Sequence, residues 1–181
     1  MNKQGEALAD KLFPEDERMV FTVLDGASVQ GLRQRLASDA PQHECLYRGD
    51  LEPDMAEVAP YLVQLELNSP FTEWVLEQGW GKHWGIFGQS AADLRELRQH
   101  FRRFLTVHDP EGRPLYFRYY DPRVLRVYLP TCSADELKEL FGPVQAYFME
   151  DDTGSSVLRF LLKDGKLSKQ SEALLAKPAA P

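Results

Sequence analysis

Cysteine is scarce in this sequence, and long hydrophobic runs are missing from it. Its 181 residues include two cysteines, Cys45 and Cys132, which is too few for a disulfide framework. We expect both to be buried thiols. No apolar run approaches the roughly 20 residues of a membrane-spanning helix. The first residues, MNKQGEALADKLF, lack the apolar core of a secretory signal. These features predict a cytoplasmic protein with no membrane partner.

Groups that carry chemistry are also few and dispersed. The four histidines lie in separate predicted elements and form no metal-binding pattern: His43, His83, His100 and His108. No serine or cysteine stands in a recognisable nucleophile motif. A net charge of −7 opposes bulk nucleic-acid binding. We therefore expect no catalytic residue, no cofactor, no metal and no nucleic-acid partner.

Two short segments resemble functional motifs only superficially. The glycines of GWGKHWGIFG, residues 79–88, are separated by large aromatic residues, unlike a phosphate-binding loop. We interpret the segment as a turn and a buried strand, where glycine lets Trp80 and Trp84 pack against neighbouring backbone. The acidic run of Glu150, Asp151 and Asp152 is typical of a solvated hairpin loop.

Along most of the chain, segments with apolar residues at the spacing of a strand alternate with segments that have them at the spacing of a helix. Strands are predicted at 18–24, 44–48, 60–67, 83–87, 115–120, 144–149 and 156–162. Helices are predicted at 29–36, 70–79, 90–107, 122–129, 134–141 and 168–176. This order predicts an α/β (α+β) protein, with a mixed β-sheet core flanked by helices and a smaller, more helical C-terminal lobe. The expected lobes of the single domain are 1–120 and 121–176, followed by a disordered tail at 177–181.

Basic and aromatic side chains concentrate in the middle of the chain. Residues 1–66 hold 6 basic and 13 acidic side chains, whereas residues 67–126 hold 9 basic and 7 acidic ones. The segment PLYFRYYDPRVLRVYLPTC, residues 114–132, contains five aromatic side chains and three arginines. The predicted helix at 90–107 carries an arginine face of Arg95, Arg98 and Arg102. Tyrosine, tryptophan and arginine are enriched at the energetic centres of protein interfaces, so we expect a surface that binds protein.

Arg118, Asp121 and Arg123 allow two interpretations. They form a salt-bridge cluster that fixes the corner between a strand and a helix, or they contact a partner protein. The two roles are compatible, and the residues alone leave both open.

Seven strings occur in an order that resembles the DUF4123 family of bacterial type VI secretion adaptor chaperones. They are FTVLDGA (21–27), LYRGD (46–50), APYLVQLE (59–66), GWGKHWGIF (79–87), LRELRQHFRRFLTV (94–107), LYFRYYDPRVLRVYLP (115–130) and FGPV (141–144). The strings WGIF and FRYYDPRVL are the most specific. The resemblance covers about residues 19–150.

The resemblance implies a cytoplasmic adaptor that is not an enzyme. Members of this family bind a cognate effector toxin, keep it stable and promote its loading onto the VgrG spike protein. The motif residues carried over are Trp84, Gly85, Phe87, Arg118, Tyr120, Asp121, Pro122, Arg123, Val124 and Leu125. Together with the residue chemistry, the resemblance predicts partner-binding residues at Trp84, Arg118, Tyr120, Asp121, Arg123, Arg126 and Tyr128.

Two other functions compete with this prediction. An immunity-type protein would bind a toxin and block it. A small enzyme or ligand binder would use the Trp80 and Trp84 region as a pocket.

Overall fold

The computed structural model describes residues 1–109 and 111–174. Seven α-helices lie in these residues: α1 (Lys3–Leu12), α2 (Leu32–Asp39), α3 (Pro53–Val58), α4 (Pro70–Gln78), α5 (Leu94–Arg102), α6 (Pro122–Tyr128) and α7 (Ala134–Phe141). The strands are β1 (Met19–Asp25), β2 (His43–Cys45), β3 (Pro60–Leu65), β4 (Gly85–Ser90), β5 (Thr106–His108), β6 (Pro114–Tyr116), β7 (Val144–Glu150), β8 (Ser156–Lys163) and β9 (Lys166–Ala173). A 3-10 turn at Leu129–Thr131 follows α6. The predicted tail at 177–181 lies outside the described residues.

Seven strands form one antiparallel sheet in the order β2-β3-β1-β4-β7-β8-β9. In the central strand β1, side chains point alternately to the two faces. Val20 and Leu24 enter one hydrophobic core, while Phe21 and Val23 enter the other. A strand that is buried on both faces has a nearly continuous run of apolar residues, such as MVFTVL.

Helices cover both faces of this sheet. Helices α1, α2 and α4 pack on one face, and α5, α6 and α7 pack on the other. Fully buried leucines such as Leu12, Leu32 and Leu97 each contribute about 1.5–3 kcal/mol of stability. The predicted α+β class, with a β-sheet core flanked by helices, is therefore confirmed, and every strand pair of the described sheet is antiparallel. Across the described residues, every helix is too short or too polar to cross a membrane.

The predicted helix at 90–107 is wrong at both ends. Ser90 is the last residue of β4, and its Oγ donates to the carbonyl oxygen of Pro143 at 2.8 Å. Asp93 caps α5 instead, since its Oδ1 accepts from the Glu96 N–H at 2.8 Å. After Arg102 the chain turns, and β5 pairs with β6 in a separate two-stranded hairpin. The strand predicted at 115–120 stops at Tyr116, because the pairing of β6 with β5 ends there.

The predicted helix at 168–176 is also wrong, because β9 occupies Lys166–Ala173 and pairs with β8 along its whole length. Residues 175–176 lie outside the described residues. Asp164 and Gly165 have φ values of 50° and 73°, as in a two-residue type I′ hairpin turn. The last part of the chain thus adds three strands to the sheet as well as α6 and α7. The division into two lobes stays a prediction.

Candidate functional site

A buried carboxylate joins the end of β1 to the arginine-rich segment. Asp25 closes β1 and is 2% exposed. Its Oδ2 accepts from Ser28 Oγ at 2.8 Å and from the Arg118 guanidinium, and its Oδ1 accepts from the Ala27 N–H at 3.1 Å. Arg118 and Asp25 are 93 residues apart in the chain. This ion pair ties the segment after β6 to the centre of the sheet.

A second carboxylate caps α6 at the same corner. Asp121 Oδ1 accepts from the Arg123 N–H at 2.9 Å and from its Nε at 3.0 Å, and Oδ2 accepts from Nη2 at 2.7 Å. Burial alone would raise the pKa of Asp121, but the hydrogen bonds and charge of Arg123 hold that pKa below its usual value. Pro122, which lacks an N–H, suits the first position of the helix.

The corner has an inner acidic layer and an outer basic layer. The side chains of Asp25 and Asp121 are 3% and 6% exposed, whereas those of Arg118 and Arg123 are 47% and 52% exposed. The salt bridges of the first interpretation are therefore present at this corner, and they include Asp25, which the sequence did not indicate. Contact between the two arginines and a partner stays a prediction.

Two predicted aromatic contacts lie largely inside the protein. Tyr120 is 5% exposed, and burial together with the charge of Asp25 raises its pKa to about 12. Trp84 is partly buried against Trp74, with ring centroids 4.8 Å apart, and its carbonyl oxygen accepts from the Asp25 N–H at 2.8 Å. Trp80 is 6% exposed and packs against Phe87 in the core, with the two ring planes tilted by 36°.

Arg126 and Tyr128 mainly hold α6 in place. The Arg126 side chain is 12% exposed, pairs with Asp152 and donates from Nη1 to the Glu150 carbonyl oxygen at 3.3 Å. The Tyr128 ring packs edge-on against Phe117, with centroids 4.7 Å apart. Both residues therefore fix α6 against the elements around it.

The prediction of a solvated acidic loop is wrong for Glu150. It ends β7 and is 4% exposed, and its carboxylate accepts from the backbone N–H groups of Gly81 and His83, the latter at 3.0 Å. Trp80 Nε1 donates to the Gly154 carbonyl oxygen at 2.8 Å in the same region. The turn and buried strand predicted for residues 79–88 are confirmed, and Glu150 holds that turn.

The three arginines of the predicted face of α5 have different surroundings. Arg95 is exposed, whereas Arg98 pairs with Glu44 at 3.2 Å. Arg102 donates to three backbone carbonyl oxygens at the end of β2 and just after it, those of residues 45, 46 and 47, at 2.9, 3.1 and 2.6 Å. Arg102 therefore anchors α5 to the edge of the sheet.

A groove of about 540 Å³ opens beside Arg102, between the segment at 46–55 and the β5-β6 hairpin. Its apolar and aromatic lining residues are Leu46, Tyr47, Leu51, Met55, Leu105 and Tyr116. Arg48 and Arg103 complete the basic side of the groove, and none of the described residues that line it is acidic. No motif predicted this groove, because its walls are distant in sequence and lack a periodic pattern.

The guanidinium of Arg103 is held in place by a buried histidine. His100 is 4% exposed, its Nε2–H donates to the Leu140 carbonyl oxygen at 3.0 Å, and its Nδ1 accepts from Arg103 Nη2 at 3.2 Å. The Arg103 guanidinium also lies 5.6 Å from the centre of the Phe104 ring. The neutral tautomer of His100 thus positions one of the arginines of the groove.

The lowered pKa of His100 predicts that the stability of the protein depends on pH. Burial lowers the pKa of His100 to about 4, against about 6.5 in the unfolded chain. Since the unfolded chain binds the proton at a higher pH, the free energy of unfolding should fall as the pH drops from about 6.5 towards 4. The loss should approach about 3 kcal/mol.

Urea denaturation of the wild type and of His100→Gln across this pH range measures the effect. The difference in slope between the two proteins isolates His100 from the carboxylates that also titrate there. His108→Gln, which changes an exposed histidine, should retain the wild-type slope. A wild-type slope in His100→Gln would contradict the prediction.

One comparison with known proteins identifies the family. No curated protein and no solved structure matches the chain. A family model described as a domain of unknown function, DUF4123, matches residues 20–139. This range contains all of β1 except Met19, both arginines of the corner and the whole groove. Because the match spans well over half of the sequence, the chain belongs to the DUF4123 family.

Proposed function

We propose that this protein is a cytoplasmic adaptor chaperone that binds a cognate type VI secretion effector and promotes its loading onto the VgrG spike. The secretion role comes from the motif resemblance given above. The observation that carries a binding role is the groove, where Met55 and Tyr116 are 48% and 83% exposed beside three arginines. Within the described residues, Arg48 and Arg103 have no carboxylate within ion-pair distance.

This combination favours a protein partner. Single exposed apolar residues are ordinary, but several around one concavity mark an interaction site. An aromatic ring such as Tyr116 and a positioned guanidinium such as Arg103 are the side chains most often found at interface hot spots. Recognition of this kind requires no catalytic group and no cofactor.

Co-expression with a candidate effector and a VgrG protein, sought first among the neighbouring genes, tests the proposal. The expected result is that the effector co-elutes with this protein in size-exclusion chromatography at micromolar concentration. If neither neighbour co-elutes, the proposal fails. Toxicity separates the adaptor from the immunity alternative, because an adaptor leaves the toxin active whereas an immunity protein rescues cells from it.

Charge reversal at Arg123 tests the corner as part of the binding surface. Arg123→Glu should lower stability by about 1 kcal/mol, because Asp121 loses its bidentate partner and gains a like charge, although half of the arginine is exposed. If Arg123 also contacts the effector, complex formation should weaken beyond this loss.

The melting temperature and the fraction of complex are measured on the same sample. Lys138→Glu reverses a charge on α7 whose ion pair with Asp135 is largely exposed, so it should leave complex formation unchanged and alter stability by less than about 0.5 kcal/mol. If Arg123→Glu behaves like this control in both assays, Arg123 has neither role.

A further inference from the structure

We infer that the groove binds one acidic segment of the effector, with at least two apolar side chains buried against Met55 and Tyr116 and a carboxylate beside Arg103. This inference rests on the proposed function and adds to it the location and chemistry of the bound segment. It follows from the shape, the apolar walls and the charge of the groove.

The shape and the walls call for apolar side chains. A volume of about 540 Å³ falls within the roughly 300–1,000 Å³ of typical ligand sites. Leu46 is fully buried and forms the floor, while Met55 and Tyr116 stand on opposite walls and remain exposed. A segment that places apolar side chains between them removes both from water.

The charge calls for a carboxylate. The hydrogen-bond donors of Arg102 are directed to backbone carbonyls, so its positive charge has no counterion there. Burial, and then the charges of Arg98 and Arg48, lower the pKa of Arg102, and the charge of Glu44 offsets only part of this effect. The acids that follow Arg48 in sequence are exposed and do not line the groove: Asp50, Glu52 and Asp54. Glu44, which precedes it, pairs with Arg98. An acidic segment would relieve this repulsion, whereas a basic one would add to it.

One wall of the groove is a separate ribbon. Thr106 and Tyr116 are paired across the β5-β6 hairpin, and both line the groove. A two-stranded hairpin is only marginally stable without further packing. A bound segment would cover the groove-facing side of this hairpin, so binding should order the hairpin further.

Photocross-linking identifies what occupies the groove. Benzoylphenylalanine replaces Tyr116 in the full chain, the complex with the co-expressed effector is irradiated, and the cross-linked peptide is sequenced by mass spectrometry. The expected product is a single effector segment with aspartate or glutamate next to apolar residues. The same probe at Leu67, which is 52% exposed and does not line the groove, should not capture that segment. Cross-linking to a basic segment, to VgrG or to a second copy of this chain would overturn the inference.

Matched variants measure what the groove contributes to binding. Tyr116→Ser combined with Arg103→Glu should weaken effector binding by roughly tenfold or more, since an aromatic anchor and a charge pair are lost. Leu67→Ser combined with Lys138→Glu removes an exposed apolar side chain and reverses an exposed charge outside the groove, and it should bind normally. Met55→Glu, at a side chain that is 48% exposed, gives a second test should the double variant fold poorly.

These experiments distinguish the adaptor role from the binding of the effector segment in the groove. If the wild type forms the complex and the folded groove variants bind equally well, the inference is overturned while the adaptor role stands. If the wild type binds no effector at all, both are rejected.

Discussion

Gly85→Ala is expected to prevent folding or to lower the free energy of unfolding by more than about 4 kcal/mol. A Cβ at this position would overlap the Val23 carbonyl group, lying 2.9 Å from its carbon and closer still to its oxygen. Gly85 is paired with Leu24 of β1 in the centre of the sheet. Any backbone shift that relieved the overlap would disturb the pairing of β1 with both of its neighbours.

Gly5→Ala supplies the matched control. Its added Cβ would meet the flexible side chains of Met1 and Glu77 at 3.2 and 3.3 Å, and alanine is favoured inside a helix such as α1. Its stability should stay within about 1 kcal/mol of the wild type. Thermal and urea denaturation compare the two variants, and a melting temperature for Gly85→Ala close to that of the wild type would contradict the argument.

Asp25→Ala should cost about 3 kcal/mol of stability. The substitution removes a buried carboxylate that accepts hydrogen bonds from the Ala27 N–H, the Ser28 hydroxyl and the Arg118 guanidinium. The backbone N–H would be left without this acceptor, and Arg118 would lose the contact that attaches the arginine-rich segment to β1. Denaturation of Asp10→Ala, at an exposed aspartate on α1, provides the control and should differ from the wild type by less than about 0.5 kcal/mol.

A double-mutant cycle separates the ion pair from the other contacts of Asp25. Once Asp25 is removed, Arg118→Ala should cost little more, because the arginine is half exposed and already unpaired. The coupling energy should be about 1–2 kcal/mol. Strictly additive losses would mean that the Arg118–Asp25 pair does not stabilise the corner.

Local features were predictable where a few neighbouring residues determine them. The strand predicted at 18–24 is β1, and the helix predicted at 122–129 is α6 with Asp121 as its cap and Pro122 at its first position. The helix predicted at 134–141 is α7, and Ser133 and Glu136 form its capping box with hydrogen bonds of 3.3 and 2.7 Å. In each case the contacts lie within one strand or one helical turn, so the sequence contains both partners at short range.

Elements that depend on a distant partner were predicted wrongly. The polar segment KLSKQSEA has little intrinsic strand character, yet it forms β9 because β8 offers a paired edge and Asp164-Gly165 supplies the turn. That Asp-Gly pair was the local signal that would have indicated the hairpin. The end of α5 was missed for a similar reason, since β5 exists only through its pairing with β6.

The sequence by itself determined the family, the fold class and the concentration of arginine and aromatic residues near residues 94–128. Only the tertiary structure decided which of these side chains form internal ion pairs and hydrogen bonds and which line the groove. It pairs Arg118 with Asp25, directs Arg102 to backbone carbonyls and leaves Tyr116 and Arg103 beside an open groove. The physical reason is that pairing and burial depend on residues brought together by the sheet from far along the chain, and no local pattern encodes those distances.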